Sequence, residues 1–353
     1  MKKYVDLKDI HVLAPNLKKR LSGVTSTIVN LVPKQKDLGV QIASIGPGLP
    51  DFLPHVGFAQ LWKLWLKPSD GKKRVWHARR NVEMLPGIFM RDILRMNIKV
   101  IFTSDAQRHH RKYTKWLISK MDHVISGSQK AGSFLDREST IIHHGVDLAR
   151  FFPSEDKAKE RSELGLDPDM KIAGCFGRVR HQKGTDIFVE MMIKLLPQHP
   201  QWIGVITGRV TAEHMSFADK LKKSVRDAGL EDRIIFAGEV DDIEKWFRVL
   251  DLYIAPQRNE GFGLTPLEAA ACRVPSVATD VGAFSELIVD NKTGIVVGVE
   301  DVDALCHNAD KYMSDAKLLE TLGQNAREYV SQNFSLEKEA TAINAVYEAV
   351  RNG

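Results

Sequence analysis

The sequence contains no long apolar run, which excludes one class of membrane protein. No stretch of its 353 residues approaches the ~20 consecutive apolar residues that a membrane-spanning helix needs. The opening residues, MKKYVDLKDI, also lack the apolar core of a signal peptide. We therefore expect a protein that works in the cytoplasm.

Cysteine is scarce as well. The three cysteines, Cys175, Cys272 and Cys306, lie far apart, with neither a CxxC spacing nor histidines nearby in a metal-binding pattern. This usage is typical of reduced cysteines in a cytoplasmic protein. It predicts neither a disulfide framework nor a structural zinc site.

Acidic residues are depleted in the first part of the chain. Residues 1–150 hold 26 lysines and arginines against 12 acidic residues, whereas residues 151–353 hold 24 against 33. The net charge of +5 therefore conceals a strongly basic part and an acidic part. A basic surface of this extent favours an anionic partner, which the charge alone leaves open as nucleic acid, an acidic membrane or a phosphorylated substrate.

Short apolar strands alternate with helical stretches along the whole chain, which predicts parallel α/β units. The rhythm breaks at a polar stretch over residues 153–168 and then restarts, so we expect two Rossmann-like domains. The predicted strands are 10–13, 41–45, 74–77, 100–103, 123–126 and 140–143, then 171–176, 203–206, 233–236, 252–255, 276–278 and 294–297. A dinucleotide enzyme is disfavoured, because no GxGxxG follows a strand and opens a helix.

The strongest chemical signal is the segment 259–268, NEGFGLTPLE, directly after a predicted strand. Its glycines permit close approach of a ligand to the backbone, and the N-terminus of the following helix favours an anion. Glu268 has two interpretations, since TPLE also reads as a capping box in which Glu268 only bonds the backbone of Thr265. Glu260 precedes Gly-Phe-Gly, where it neither caps nor packs, so we expect a functional role.

A second cluster, FGRVRHQKG at residues 176–184, also follows a strand and precedes a helix. Arg178 and Lys183 can offer a planar fork and a point charge to one diphosphate. Taken alone, the cluster is equally typical of a basic surface loop.

Together these segments carry a family resemblance. GRVRHQKG followed about eighty residues later by EGFGLTPLE resembles the donor-site signature of the retaining GT-B glycosyltransferases often called GT4, or glycosyl transferases group 1. Further matching elements are the strand end 236–240, the segment 276–279 with Gly282, and His144-Gly145-Val146-Asp147. The resemblance implies an α/β fold of two Rossmann-like domains facing each other across a cleft. It also implies a metal-independent transferase without a cofactor, although Asp167-Pro-Asp169 and Asp301-Val-Asp303 superficially match a metal-binding DxD.

The resemblance also implies the domains and their tasks. Residues 1–160 would bind the acceptor, residues 161–335 the nucleotide-sugar donor, and the helix 336–353 would pack back on the first domain. Arg178 and Lys183 would hold the diphosphate, Glu260 the sugar and Glu268 the ribose. The remaining donor-binding residues would be Gly177, Val240, Gly261, Phe262, Gly263, Leu264 and Thr265.

The first half gives weaker site predictions. Ser22, Gly23 and Val24 open a helix and are expected to offer backbone N–H groups to an anion, or merely to start a capped helix. Family members often carry a histidine near the reacting sugar; here Asp105 stands at the aligned position. His77, at the end of another strand, is our candidate for catalytic work on the acceptor, and a buried structural histidine is the alternative.

The segments LAPNLKKRLSGVTSTI, GPGLPD and FTSDAQRHH resemble bacterial lipopolysaccharide core mannosyltransferases in particular. This implies GDP-mannose as donor and an acidic, lipid-linked acceptor at the inner face of the cytoplasmic membrane. Residues 58–67, FAQLWKLWLK, mix aromatics with lysines and are expected to lie in an anionic membrane interface or, alternatively, to pack on the core. Single-stranded nucleic acid would use similar residues, but a glycolipid acceptor accounts for the basic half more economically.

Three alternatives stay open at this point. A related transferase would use a UDP- or ADP-linked sugar for another glycan. A GT-B epimerase or phosphorylase would keep the fold and change the reaction. A nucleotide-sugar-binding protein without turnover would keep the donor site only, and nothing in the sequence fixes the oligomeric state.

Overall fold

A computed structural model describes residues 3–19 and 23–353 of the chain. It divides into two compact units, Met1–Gly145 with Leu336–Gly353, and Val146–Ser335. The sequence placed this boundary near residue 160. The division falls earlier because Val146 and Phe151 already pack into the apolar core of the second unit.

The first unit contains a parallel sheet of eight described strands in the order β1-β4-β3-β2-β5-β6-β7-β8. The strands are β1 Lys3–Tyr4, β2 Val12–Pro15, β3 Ile42–Ile45, β4 Pro54–His55, β5 Arg74–Ala78, β6 Ile98–Ser104, β7 His123–Ser126 and β8 Thr140–Ile141. Six of them correspond to predicted strands. The two-residue strands β1 and β4 escaped prediction because so short a segment carries no periodic pattern.

The second unit contains a parallel sheet of six described strands in the order β11-β10-β9-β12-β13-β14. The strands are β9 Lys171–Phe176, β10 Trp202–Thr207, β11 Ile234–Gly238, β12 Leu252–Ala255, β13 Ser276–Thr279 and β14 Gly294–Val297. All six were predicted within about two residues, and the expected α/β fold class is confirmed.

Thirteen α-helices occur among the described residues. They are α1 Gly23–Asp37, α2 Asn81–Ile88, α3 Lys112–Ser119, α4 Gln129–Gly132, α5 Lys157–Glu163, α6 Thr185–Leu195, α7 Met215–Asp227, α8 Ile243–Val249, α9 Thr265–Ala271, α10 Phe284–Leu287, α11 Val302–Ser314, α12 Ala316–Asn333 and α13 Leu336–Asn352. A 3-10 helix spans Phe58–Trp65, and a π-helical turn, Phe89–Ile93, continues α2. In the described part of the chain no helix is long and apolar enough to cross a bilayer.

The strands are apolar on both sides because each sheet is covered on both faces. Along a strand, successive side chains point to opposite faces. In the first unit Leu13 and Trp76 enter one core, while their neighbours Val12 and Val75 enter the other. This burial of alternate residues on two faces explains the near-continuous apolar runs in the sequence.

The last helix, α13, is part of the first unit. Its apolar stripe is buried against the same core as α1, as the sequence periodicity predicts. Polar contacts add to the packing: Gln35 donates to Asn344 at 2.8 Å, and Arg351 pairs with Asp70 at 2.5 Å. The chain therefore returns to its first unit after completing the second.

A buried ionic cluster fixes the start of α13. The Nδ1 atom of His144 lies 2.6 Å from Glu339, its Nε2 lies 3.1 Å from Asp105, and Glu339 also accepts from the Gly145 N–H at 2.8 Å. Burial alone would lower the pKa of His144, but the two carboxylates outweigh it and hold that pKa well above 6.5. The two carboxylates therefore favour the imidazolium form of His144.

We predict that Glu339→Gln weakens the docking of α13. Removing one charge from a buried ionic cluster costs about 3 kcal/mol, so amide exchange in this helix should accelerate by about a hundredfold at neutral pH. Because the pKa of His144 is raised, the protonated imidazole contributes fully to the free energy of unfolding below pH 6.5. In the wild type this contribution disappears only as pH rises through the raised pKa. Hydrogen–deuterium exchange measured by mass spectrometry checks this.

Glu337→Gln is the matched control, because Glu337 lies on the same helix but pairs with Lys34 at the surface. Its effect should be small. Equal exchange in both variants would contradict the role assigned to the cluster.

Candidate functional site

The two strongest sequence motifs meet at one place in the second unit. The chain runs from β9 outward to β10 and β11, then returns to build β12, β13 and β14 on the other side of β9. Between β9 and β12 the connections diverge, which opens a crevice at the carboxyl ends of these strands. The loops that follow β9 and β12 carry the two motifs.

The loop after β9 presents two cations. Gly177 lies at the strand end with φ of 137°, the Arg178 side chain is exposed, and Lys183 lies at the end of a 3-10 turn. Arg178 has no side-chain ion pair within the described residues. Gly184 then starts α6 with φ of 68°, and a Cβ there would collide with the carbonyl of Pro256. Only glycine lets the two loops approach this closely.

The loop after β12 presents Glu260 and a glycine turn. Gly263 has φ of 91°, and a side chain there would strike the ring of Phe284. The Phe262 ring is buried in the core of the unit, and its carbonyl accepts from the Ala283 N–H at 2.9 Å. This fixes the backbone of residues 261–264 over the strand end.

Lys183 and Glu260 form an ion pair that joins the two loops. Their side chains are 18% and 22% exposed, so both are within reach of a ligand in the crevice. Glu260 also accepts from the Gly261 N–H at 3.1 Å. The lysine and the carboxylate therefore balance each other's charge.

Arg258 supports this geometry and was missed in the sequence. Its guanidinium makes two hydrogen bonds to Asp186, at 2.8 and 2.9 Å, and one to the His181 carbonyl at 2.7 Å. These contacts tie the loop after β12 to the start of α6. Arg258 directly precedes the motif 259–268, and nothing in the sequence indicates its contact with Asp186, 72 residues earlier.

Glu268 lies on α9 and does not make the capping-box bond to the backbone of Thr265, which was one of its two interpretations. The helix begins at Thr265 with Leu264 as its N-cap, and no side chain caps it. Burial raises the pKa of Glu268 from 4.5 to about 7, against the opposing charges of Arg150 and Lys183. A carboxyl group with a raised pKa close to Lys183 is typical of a binding site.

The other donor-side residue, Val240, follows β11 at the edge of the sheet and is half-buried. The predicted donor residues thus lie after the carboxyl ends of the strands, on loops or, for Thr265 and Glu268, in the first turn of α9. Val240 is two strands away from β9.

In the first unit, the corresponding crevice lies between β2 and β5. There the buried Asn16 side chain accepts from Arg80 at 2.8 Å and from Thr25 at 3.2 Å. Gly23 is exposed at the first position of α1 and Val24 is half-buried, whereas Ser22 lies outside the described residues. The start of α1 is thus placed at this crevice.

His77 is not presented to any ligand in this structure. It is 0% exposed on β5, with Nδ1 at 2.7 Å from the Tyr347 hydroxyl and Nε2 at 2.7 Å from Thr103. Burial, with the nearby charge of Arg79, holds the pKa of His77 well below 6.5. The alternative of a buried structural histidine describes this position, and the catalytic expectation finds no support here.

The two DxD matches have local structural roles. Asp301 caps α11 by accepting from Ala304 at 3.0 Å, and Asp167 accepts from the Asp169 N–H at 3.0 Å in a turn. In the described residues no three histidine, cysteine or acidic side chains converge as a metal site would require.

Comparison with known proteins places this architecture in a family. Residues 156–329 match the family described as glycosyl transferases group 1. The chain is 56% identical, over 98% of both sequences, to the lipopolysaccharide core biosynthesis mannosyltransferase LpcC of Rhizobium leguminosarum bv. viciae. It is 53% identical, over 98% of this chain and 99% of the relative, to the lipopolysaccharide core biosynthesis mannosyltransferase LpsB of Rhizobium meliloti (strain 1021).

The fold is likewise shared with solved structures. A glycosyltransferase from Rickettsia africae ESF-5 superimposes with a TM-score of 0.83 at 20% identity, covering 99% of this chain and 98% of that one. The chain belongs to the glycosyl transferases group 1 family and is a glycosyltransferase with the GT-B fold. The family resemblance carried by the two motifs is thereby confirmed.

We predict that Glu268→Gln stabilises the ligand-free protein in alkaline but not acidic solution. The folded-state pKa of about 7 exceeds the ordinary 4.5, so the carboxyl's favourable contribution is complete below pH 4.5 and is lost as pH rises through about 7. The variant should gain about 2 kcal/mol at about pH 8 and little at about pH 5. Urea unfolding followed by tryptophan fluorescence measures both values.

The exposed Glu231→Gln provides the control and should change stability equally little at the two pH values. A Glu268→Gln variant that loses stability at alkaline pH would contradict the burial argument.

Proposed function

We propose that this glycosyltransferase moves mannose from GDP-mannose to an acidic, lipid-linked acceptor of the lipopolysaccharide core, with retention at the anomeric carbon. The observation that carries the proposal is the convergence of Arg178, Lys183 and Glu260 at the crevice between β9 and β12. Support for the donor and acceptor comes from two relatives named as lipopolysaccharide core biosynthesis mannosyltransferases. This chain aligns with each of them along nearly its whole length.

The diphosphate is held by Arg178 and Lys183. Arg178 offers an exposed planar fork suited to phosphate oxygens, and Lys183 adds a point charge beside it. Both charges stabilise the negative charge that grows on the departing GDP, which is where electrostatic stabilisation contributes most to rate.

Donor binding rearranges the Lys183–Glu260 pair. The diphosphate competes for the lysine, and the carboxylate released from it accepts hydrogen bonds from the sugar hydroxyls. Glu260 thereby acts on the sugar only when a phosphate has taken its partner, which couples recognition of the two parts of the donor.

The rest of the nucleotide lies along the same edge of the sheet. Glu268 accepts hydrogen bonds from the ribose hydroxyls, and Val240 contacts the base. The sugar and phosphates are surrounded by backbone groups of Gly177, Gly261, Phe262, Gly263, Leu264 and Thr265. The ionised Glu268 carboxylate accepts hydrogen bonds from the ribose better than the protonated carboxyl does. Ribose binding is therefore coupled to the release of the proton from Glu268.

The acceptor is bound by the first unit, whose basic character matches a phosphorylated glycolipid at an anionic membrane surface. The start of α1, at Gly23 and Val24, offers N–H groups toward an anion. His77 receives no role in the reaction, because its ring is buried with both nitrogens engaged.

The reaction exchanges one bond at the anomeric carbon. The bond to the diphosphate oxygen breaks and a bond to the acceptor hydroxyl oxygen forms on the same face of the sugar. The acceptor's proton passes to the leaving diphosphate, so the products are the mannosylated acceptor and GDP. Arg178 and Lys183 stabilise this leaving group without needing to accept a proton themselves.

A panel of GDP-, UDP-, ADP- and CMP-linked sugars in a thermal-shift assay tests the donor assignment. A ligand at ~100 times its dissociation constant stabilises the fold by about 2.7 kcal/mol, and we expect this response for GDP-mannose. A response to a UDP- or ADP-linked sugar instead would replace the donor and keep the transferase.

Turnover separates the enzyme from a silent nucleotide-sugar binder. Release of GDP that depends on an added lipopolysaccharide-core acceptor supports the proposal; donor binding without such release contradicts it. Arg178→Ala should weaken GDP-mannose binding by about tenfold or more, while Arg226→Ala, on the exposed side of α7, should leave it unchanged.

A further inference from the structure

The exposed large apolar side chains of this protein are concentrated in one part of the first unit. Three neighbouring segments contain ten of them, whereas the second unit exposes only Phe152, Met215 and Val299 among its described residues, at separate places. The ten are Phe58, Trp62, Trp65, Leu66, Val82, Leu85, Phe89, Ile93, Tyr113 and Trp116. We call this set the apolar face.

Direct contacts join the three segments. The Trp65 indole donates to the Leu94 carbonyl at 2.7 Å, which connects the 3-10 helix to the end of the π-helical turn. Asn81, at the start of α2, donates to Thr114 of α3 at 2.7 Å. The three segments that carry the apolar face are therefore neighbours in the fold.

The segment formed by α2 and the π-helical turn is apolar on both sides. Its inner side buries residues such as Met84, Ile88 and Met90 in the core. Its outer side carries Val82, Leu85, Phe89 and Ile93, at spacings of three and four residues, which are 44%, 44%, 50% and 66% exposed. A helix of this kind is normally buried on every side, so its outer stripe requires an apolar environment beyond the protein.

Cations surround the apolar face. The exposed residues Lys67, Arg95, Arg111 and Lys112 form no ion pair within the described part of the chain. The acidic residues of the same segments, Glu83 and Asp92, are already paired with Arg80 and Arg91. Tryptophan and phenylalanine within a rim of lysine and arginine are the composition that binds the interface of an anionic bilayer.

We propose that the apolar face docks the first unit on an anionic lipid bilayer, with α2 and its π-helical turn inserted in the interface. The inference rests on the proposed function, because a lipid-linked acceptor is presented at a membrane. A second copy of the chain is disfavoured as the occupant, since the unpaired cations around the face would repel their own copies.

Vesicle co-sedimentation of the full chain tests this docking. The wild type should sediment with vesicles of phosphatidylcholine and phosphatidylglycerol, and much less with phosphatidylcholine alone or at high salt. The double variant Phe89→Ser with Ile93→Ser should lower partitioning by about tenfold or more. The matched control, Met215→Ser with Val299→Ser, removes two exposed apolar side chains (51% and 43%) from the second unit and should bind as the wild type does.

Three results would overturn the proposal: no binding by the wild type, equal binding by Phe89→Ser with Ile93→Ser, or a wild-type dimer in sedimentation velocity that this variant dissolves. The GDP-mannose thermal shift, measured on the same samples, should be identical in the wild type and the two double variants. This measurement also verifies that the variants are folded. Vesicle binding without a response to GDP-mannose would reject the donor assignment and retain the docking surface. The reverse result would reject the docking surface alone.

Discussion

The proposed donor site depends on the ion pair between Lys183 and Glu260. Each residue comes from a loop at the carboxyl end of a different strand, and the pair closes the crevice between β9 and β12. The pair joins the two loops, and in the proposed function a diphosphate competes with Glu260 for the lysine. On that proposal the site is assembled in advance, and donor binding releases Lys183 and Glu260 from each other.

Several local features exist to hold that pair in place. Gly184 permits contact between the loops because no side chain fits against the Pro256 carbonyl. Arg258 ties the second loop to Asp186 on α6. Glu268, in the first turn of α9, has its pKa raised to about 7 by burial.

The alternation of strands and helices made the fold predictable, since parallel strands covered on both faces leave long apolar runs. The position of the two motif loops at the ends of β9 and β12 was also predictable, since each motif directly follows an apolar strand in the sequence. The Arg258–Asp186 tie and the His144–Glu339 contact were not, because each joins residues far apart in sequence. The exposed stripe of α2 was equally hidden, since the sequence does not distinguish an apolar residue facing water from one facing the core.

His77 illustrates the limit of assigning a role from a strand-end position. Its place at the end of β5 pointed to the acceptor, yet the side chain faces α13 and is held by Tyr347 and Thr103. Successive side chains along a strand point to opposite faces, and the face that His77 enters is covered by a helix some 270 residues later in the chain. Asp105, which stands where relatives often carry histidine, is instead part of the ionic cluster around His144.

Calorimetric titration with GDP, which lacks the sugar, tests the central role of the ion pair most directly. Because Lys183 must leave Glu260 to reach the diphosphate, the variant Glu260→Gln should bind GDP more tightly than the wild type does. It should also lose the preference for GDP-mannose over GDP, while the exposed-surface variant Glu231→Gln changes neither affinity. Weaker GDP binding by Glu260→Gln, with the preference for GDP-mannose retained, would contradict the account.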